Sequence, residues 1–166
     1  MLLLFGIVTL FPTPTPEREP MAAKPTKLVF RPVIDHVIRV KDGDTVDLML
    51  DLGFDTYRKQ TVRFQGVDTP EISTEAGKAV AVWLTAYLQR EALKHPLYLD
   101  SRDYDKFGGR VLGDIYLGSP TGTSVVLTLL HHSLGRAYKG TKRQPWTPAE
   151  LDAVLAAVKR APSEGP

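Results

Sequence analysis

Cysteine is absent from the 166 residues, and so is asparagine. The first absence removes disulfide scaffolds, thiolate-bound zinc and iron–sulfur sites, thiol nucleophiles and cysteine lipid anchors. The second removes any His-Asn-His nuclease motif. An excess of charge is also lacking: 21 Lys and Arg against 19 Asp and Glu leave a formal +2. A pI of about 8.8 is compatible with a polyanionic partner but identifies none. Long apolar runs are scarce. Met1 to Phe11 is apolar, but as a helix it would span about 16 Å, short of the ~30 Å bilayer core. No Lys or Arg precedes it and no A-x-A site follows, so it is a poor secretory signal. Pro12, Pro14, Pro16 and Pro20 favour extended, solvated backbone. Residues 1–26 therefore read as an apolar, Pro-rich extension. It is either a signal peptide, which implies secretion, or a start set too early, with Met21 opening a cytoplasmic chain.

What remains has the balance of one ordinary globular domain: 43% hydrophobic and 24% charged residues exclude collagen-like, low-complexity and largely disordered chains. Val29 to Val40 is β-rich and interrupted by Pro32, as at an edge or irregular start. Asp42-Gly43-Asp44 signals a turn. Val46, Leu48, Leu50 and Leu52 then alternate with Asp47, Met49 and Asp51, the period of a half-buried strand. Gly53 and Asp55 mark a second turn, with Tyr57 to Val67 as partner strand. Ser73 or Thr74 caps an amphipathic helix whose inner face is Val80, Trp83, Leu84, Tyr87 and Leu88, ended by Pro96. Leu97 to Asp100 and Arg110 to Leu117 read as short strands. Thr123 or Ser124 opens a second helix. Thr147-Pro148-Ala149-Glu150 is a capping box before a third, with Leu151, Val154, Leu155 and Val158 inward. Three strands, a helix, two strands and two helices suit a small five-stranded barrel, an α+β OB-fold.

The residues that could carry chemistry fall in four segments: Val40 to Val46, Val62 to Glu71, Asp105 to Leu112 and Leu134 to Tyr138. Asp44, Asp68 and Glu71 are carboxylates at strand ends or turns. Pro70 pushes Thr69 extended, freeing its carbonyl from a ladder. Two carboxylates, a carbonyl and waters form a hard oxygen set that suits calcium, with magnesium or manganese as alternatives. Arg63 and Arg110 carry planar forks matched to phosphate oxygens. Together these are the parts of a phosphodiester hydrolysis site. His131 and His132 are adjacent on a helix and do not share a face, so they make poor joint ligands. Trp83 and Tyr87 fit a core stripe better than a base-stacking platform, and Trp146 reads as a pin for the last helix.

The D-G-D-T, R-x-x-x-V-D-T-P-E and D-K-F-G elements, in this order between Val37 and Tyr138, resemble the staphylococcal nuclease (thermonuclease) family. That resemblance implies a five-stranded OB barrel with three helices and a calcium-dependent endonuclease. Its substrates would be DNA and RNA, cut at the P–O5′ bond to leave 3′-phosphate ends. Carried over by position, Asp44, Asp68 and the Thr69 carbonyl match metal ligands, with Asp42 more distant in the same loop. Glu71 matches the general base or water-positioning carboxylate. Arg63 and Arg110 match the phosphate clamp, and Lys106 and Tyr138 line the nucleotide. Three positions depart: Gly109 is an added residue before Arg110, Phe107 stands for tyrosine, and Ser133 for a helix-ending glycine. The expected organisation is an extension over 1–26, a nuclease domain over 27–146 and a C-terminal helix and tail over 147–166. No stable protein partner is implied, and a monomer is expected. The rival reading is a non-catalytic OB-fold module that binds nucleic acid.

Overall fold

A computed structural model describes residues 31–104, 109–140 and 143–162. The extension at 1–26 and Lys106 lie outside the described residues. Five long strands form a closed mixed barrel: β1 (Val33–Asp42), β2 (Thr45–Asp51), β3 (Tyr57–Phe64), β5 (Leu97–Tyr104) and β6 (Arg110–Leu117). Between β3 and β5 lie the two-residue β4 (Val67–Asp68) and helix α1 (Glu75–Lys94). After β6 come β7 (Thr123–Ser124), α2 (Val125–His131), β8 (Arg136–Ala137) and α3 (Pro148–Arg160). The result is the expected α+β barrel with three helices, of OB-fold type.

The strand order is β3-β2-β1-β5-β6-β7, and a parallel pairing of β3 with β6 closes the ring. All other pairings are antiparallel. β1 makes closure feasible. Three register shifts along it bend and twist the strand, so that it can pair with both β2 and β5. Val46, Leu48, Val62, Phe64, Leu99, Val111 and Ile115 fill the barrel, and Val80, Leu84 and Leu88 of α1 cover it. Pro32 lies just outside β1, where a missing N–H costs nothing in the ladder.

The helices start where the sequence placed them. Thr74, Ser124 and Thr147 each accept a backbone N–H from their first turn, and Thr147 with Glu150 completes the capping box. Trp83 and Tyr87 stack in the core at 5.0 Å. Two strand boundaries differ from expectation. β3 stops at Phe64, because Gly66, at φ 105, turns the chain out of the sheet. Val67 and Asp68 then pair with Ala137 and Arg136 as a separate small ladder. β5 runs on to Tyr104 past a bulge near Ser101 and Asp103. The β2 alternation carries a further surprise: Asp47, on the face expected to be polar, is buried.

Candidate functional site

One end of the barrel gathers the turn between β1 and β2, the end of β4, and the segment that precedes α3. Asp44 sits in the first of these. A Cβ on Gly43 would lie 2.7 Å from both Thr69 Oγ1 and Val80 Cγ1. Only glycine lets this turn press against Thr69 and bring Asp44 up to Asp68. The β4–β8 ladder needs similar room. A Cβ on Gly135 would meet Val67 Cγ2 at 2.7 Å and the Asp68 carbonyl at 2.9 Å. Arg63 is directed at Asp44 by register, since it pairs with Thr45 across β2 and β3.

Asp44 is 0% exposed and Asp68 is 2% exposed, so both carboxylates require partners. The Arg63 fork meets Asp44 with both prongs, Nη1 to Oδ1 at 3.0 Å and Nη2 to Oδ2 at 2.9 Å. Thr45 Oγ1 donates to Asp44 Oδ1 at 2.9 Å. Asp68 Oδ2 accepts from Arg136 Nε at 3.1 Å and is 3.0 Å from Arg136 Nη2. Arg143 lies among all three carboxylates. Its Nη2 donates to Asp44 Oδ2 at 3.0 Å, its Nε lies 2.7 Å from Asp68 Oδ1 as an ion-pair contact, and its Nη1 donates to Glu71 Oε1. The Glu71 side chain is itself 54% exposed.

Burial dominates the electrostatics. It raises the Asp44 carboxyl above the ordinary range, against the pull of Arg63, Thr45 and Arg143. Asp42 is pushed up to about 6, first by burial and then by the charge of Asp44; the Gly43 N–H opposes this. Burial disfavours the charge on Arg143, but Asp44, Asp68, Glu71 and Asp42 outweigh it and hold the guanidinium cationic.

The structure thus brings Asp44, Asp68, Thr69, Glu71 and Arg63 to one place. Arg110 begins β6 beside Thr61 in the parallel register. Val62 and Val111 are buried, so Thr61, Arg63 and Arg110 share the opposite face. The two arginines are then about 5 Å apart across the strands and about 7 Å along them. Tyr138 is fixed by its N–H on the Gly66 carbonyl at 3.0 Å. It borders a cleft of about 190 Å³ with Arg63, Gln65, Leu112 and Lys139. Sequence reasoning missed two residues, Arg136 and Arg143. In the sequence Arg143 is a basic residue close to Trp146 and Arg136 falls in the Leu134 to Tyr138 segment, with no carboxylate partner indicated for either. Their partners lie 68 and 99 positions away, so no local pattern announces them. Trp146 is partly buried against the core, and the Arg136 guanidinium lies 4.1 Å from its ring centroid.

Among the described residues, no three acidic or histidine side chains form a ready-made metal cluster. The donor chemistry nevertheless fits a hard divalent ion. Two buried carboxylates converge on one cation, and the buried Thr69 Oγ1, packed against Gly43 in the turn that carries Asp44, has no hydrogen-bond partner. Comparisons of the chain with protein-family profiles and with curated proteins return no match.

Proposed function

We propose that the protein is a calcium-dependent phosphodiesterase of the staphylococcal nuclease type, cleaving DNA and RNA endonucleolytically. The observation that carries this reading is the meeting of Asp44, Asp68 and Glu71 around a single cation beside Arg63. These residues come from separate segments of a barrel end. Asp44, Asp68 and the Thr69 carbonyl would hold calcium, which supplies charge for a phosphate oxygen and a bound water. Glu71, exposed at the rim, takes a proton from the attacking water and orients it in line with phosphorus. Arg63 and Arg110 neutralise charge that grows on the equatorial oxygens. The P–O5′ bond breaks, the 5′-oxygen takes a proton from solvent, Glu71 returns its own to solvent, and the phosphate stays on the 3′ side. Tyr138 borders the cleft beside Arg63 and would position the nucleotide, with Lys106 in the same role.

The test is nicking of plasmid and single-stranded DNA with calcium, with magnesium, and with chelator. Calcium should activate and chelator should abolish cleavage. Asp44→Ala, which removes a buried charged ligand, should abolish metal-dependent activity. Full activity in excess chelator would sink the calcium reading and leave the non-catalytic binding module as the better description if nucleic acid still binds.

A further inference from the structure

Arg143 holds a place that the proposed chemistry does not use. Its guanidinium contacts Asp44, Asp68 and Glu71, the same carboxylates that would hold and serve the metal. Arg63 and Arg136 are each committed to one of the buried aspartates, so Arg143 is the cation common to the cluster. A divalent ion bound by Asp44 and Asp68 would have to sit where two of its nitrogens now lie. Asp44 Oδ2 already meets both Arg63 and Arg143, and Asp68 meets both Arg136 and Arg143, so a divalent ion drawn to these oxygens is repelled most by the one guanidinium that touches both carboxylates, that of Arg143.

Resting on the calcium reading above, we infer that Arg143 is a built-in counter-cation that competes with the divalent metal for Asp44 and Asp68. It neutralises the site in the metal-free protein, and metal binding displaces it. The local structure suits such an exchange. The backbone beside Arg143 is anchored, because the Gln144 carbonyl accepts from Arg136 Nη2 and Trp146 lies against the Arg136 guanidinium. The Arg143 side chain is long and 34% exposed, so it can turn toward solvent while the segment that follows it stays in place. A ligand whose site must first be vacated binds more weakly by the fraction of time the site is free. Arg143 therefore sets the calcium threshold of the protein.

The experiment measures calcium binding by titration calorimetry, without nucleic acid, and thermal melting with chelator or calcium. Arg143→Gln should bind calcium at least about tenfold more tightly than wild type, since an occupant present nine-tenths of the time weakens apparent affinity tenfold. In chelator the same variant should melt lower than wild type, and calcium should raise its melting temperature by more. Arg143→Lys keeps one charge but cannot bridge three carboxylates. It should fall between the two in affinity, and it carries the test if Arg143→Gln does not fold. Equal or weaker calcium affinity in the variants overturns the competition while leaving a calcium enzyme standing. No calcium binding by any of the three proteins, together with no cleavage by wild type, overturns the calcium reading itself.

Discussion

Asp47 is a buried carboxylate whose partners are strong enough to reverse the effect of burial. Burial alone would raise its pKa, but donors surround it. Thr61 Oγ1 at 2.6 Å, Arg39 Nε at 2.9 Å and Lys41 Nζ at 3.0 Å lower it from 3.8 to about 2. A group whose folded pKa is depressed adds stability that is complete above its unfolded pKa and is lost as the pH falls through the folded one. At about 1.4 kcal/mol for each pH unit, Asp47 contributes about 2 kcal/mol at neutral pH. Asp47→Asn should therefore be less stable than wild type by about that amount at neutral pH. The gap should close as the pH falls from about 4 to about 2. Urea denaturation across that range checks it, and a gap independent of pH would assign the loss to packing instead.

At the scale of the element, α2 shows how a helix can end correctly with the wrong residue. His132 is the C-cap, and the next two N–H groups fold back, Ser133 to the Leu130 carbonyl at 3.0 Å and Leu134 to the Leu129 carbonyl at 2.9 Å. That pattern requires a left-handed residue after the cap, and Ser133 supplies it at φ 57. The left-handed conformation costs a residue with a Cβ about 1 kcal/mol or more. Ser133→Gly should remove most of that cost, less a few tenths for the looser unfolded chain, and raise the melting temperature by about 2 °C or more. A lower melting temperature would show that the serine is held by more than its backbone. The three helix starts and the β2 alternation are legible in sequence, because each rests on neighbours within a few positions; this cap is not, because serine stands where glycine would mark it. β4, β7 and β8 are not legible, since a two-residue ladder has no periodicity and is defined by its partner. The site divides in the same way. Asp44, Asp68 and Glu71 lie in short segments with local sequence signatures, whereas Arg136 and Arg143 have roles set only by the folded barrel end.

Over the whole molecule, the parallel seam between β3 and β6 joins two segments 49 positions apart and presents Arg63 and Arg110 on one face. The two arginines are proposed to share one task, yet they stand differently in the fold. Arg63 satisfies a fully buried Asp44 with both prongs, while Arg110 is half-buried at the start of a strand. Both alanine variants should lose at least about a hundredfold in rate at saturating substrate, the typical effect of deleting one donor to a developing anion. Lysine should rescue either poorly, having no two-pronged contact to offer. Stability should separate them. Arg63→Ala strips two hydrogen bonds from a fully buried charge and should cost about 2–4 kcal/mol, whereas Arg110→Ala, at a half-buried position, should cost less. Adding Asp44→Asn to Arg63→Ala removes the stranded charge and should recover part of that stability without recovering activity. Melting curves and single-turnover rates on the same four proteins decide the matter. Wild-type cleavage by Arg110→Ala would mean that the residue added at Gly109 carries this arginine out of reach of the phosphate. An unchanged melting temperature in Arg63→Ala would mean that Arg143 alone suffices to balance Asp44.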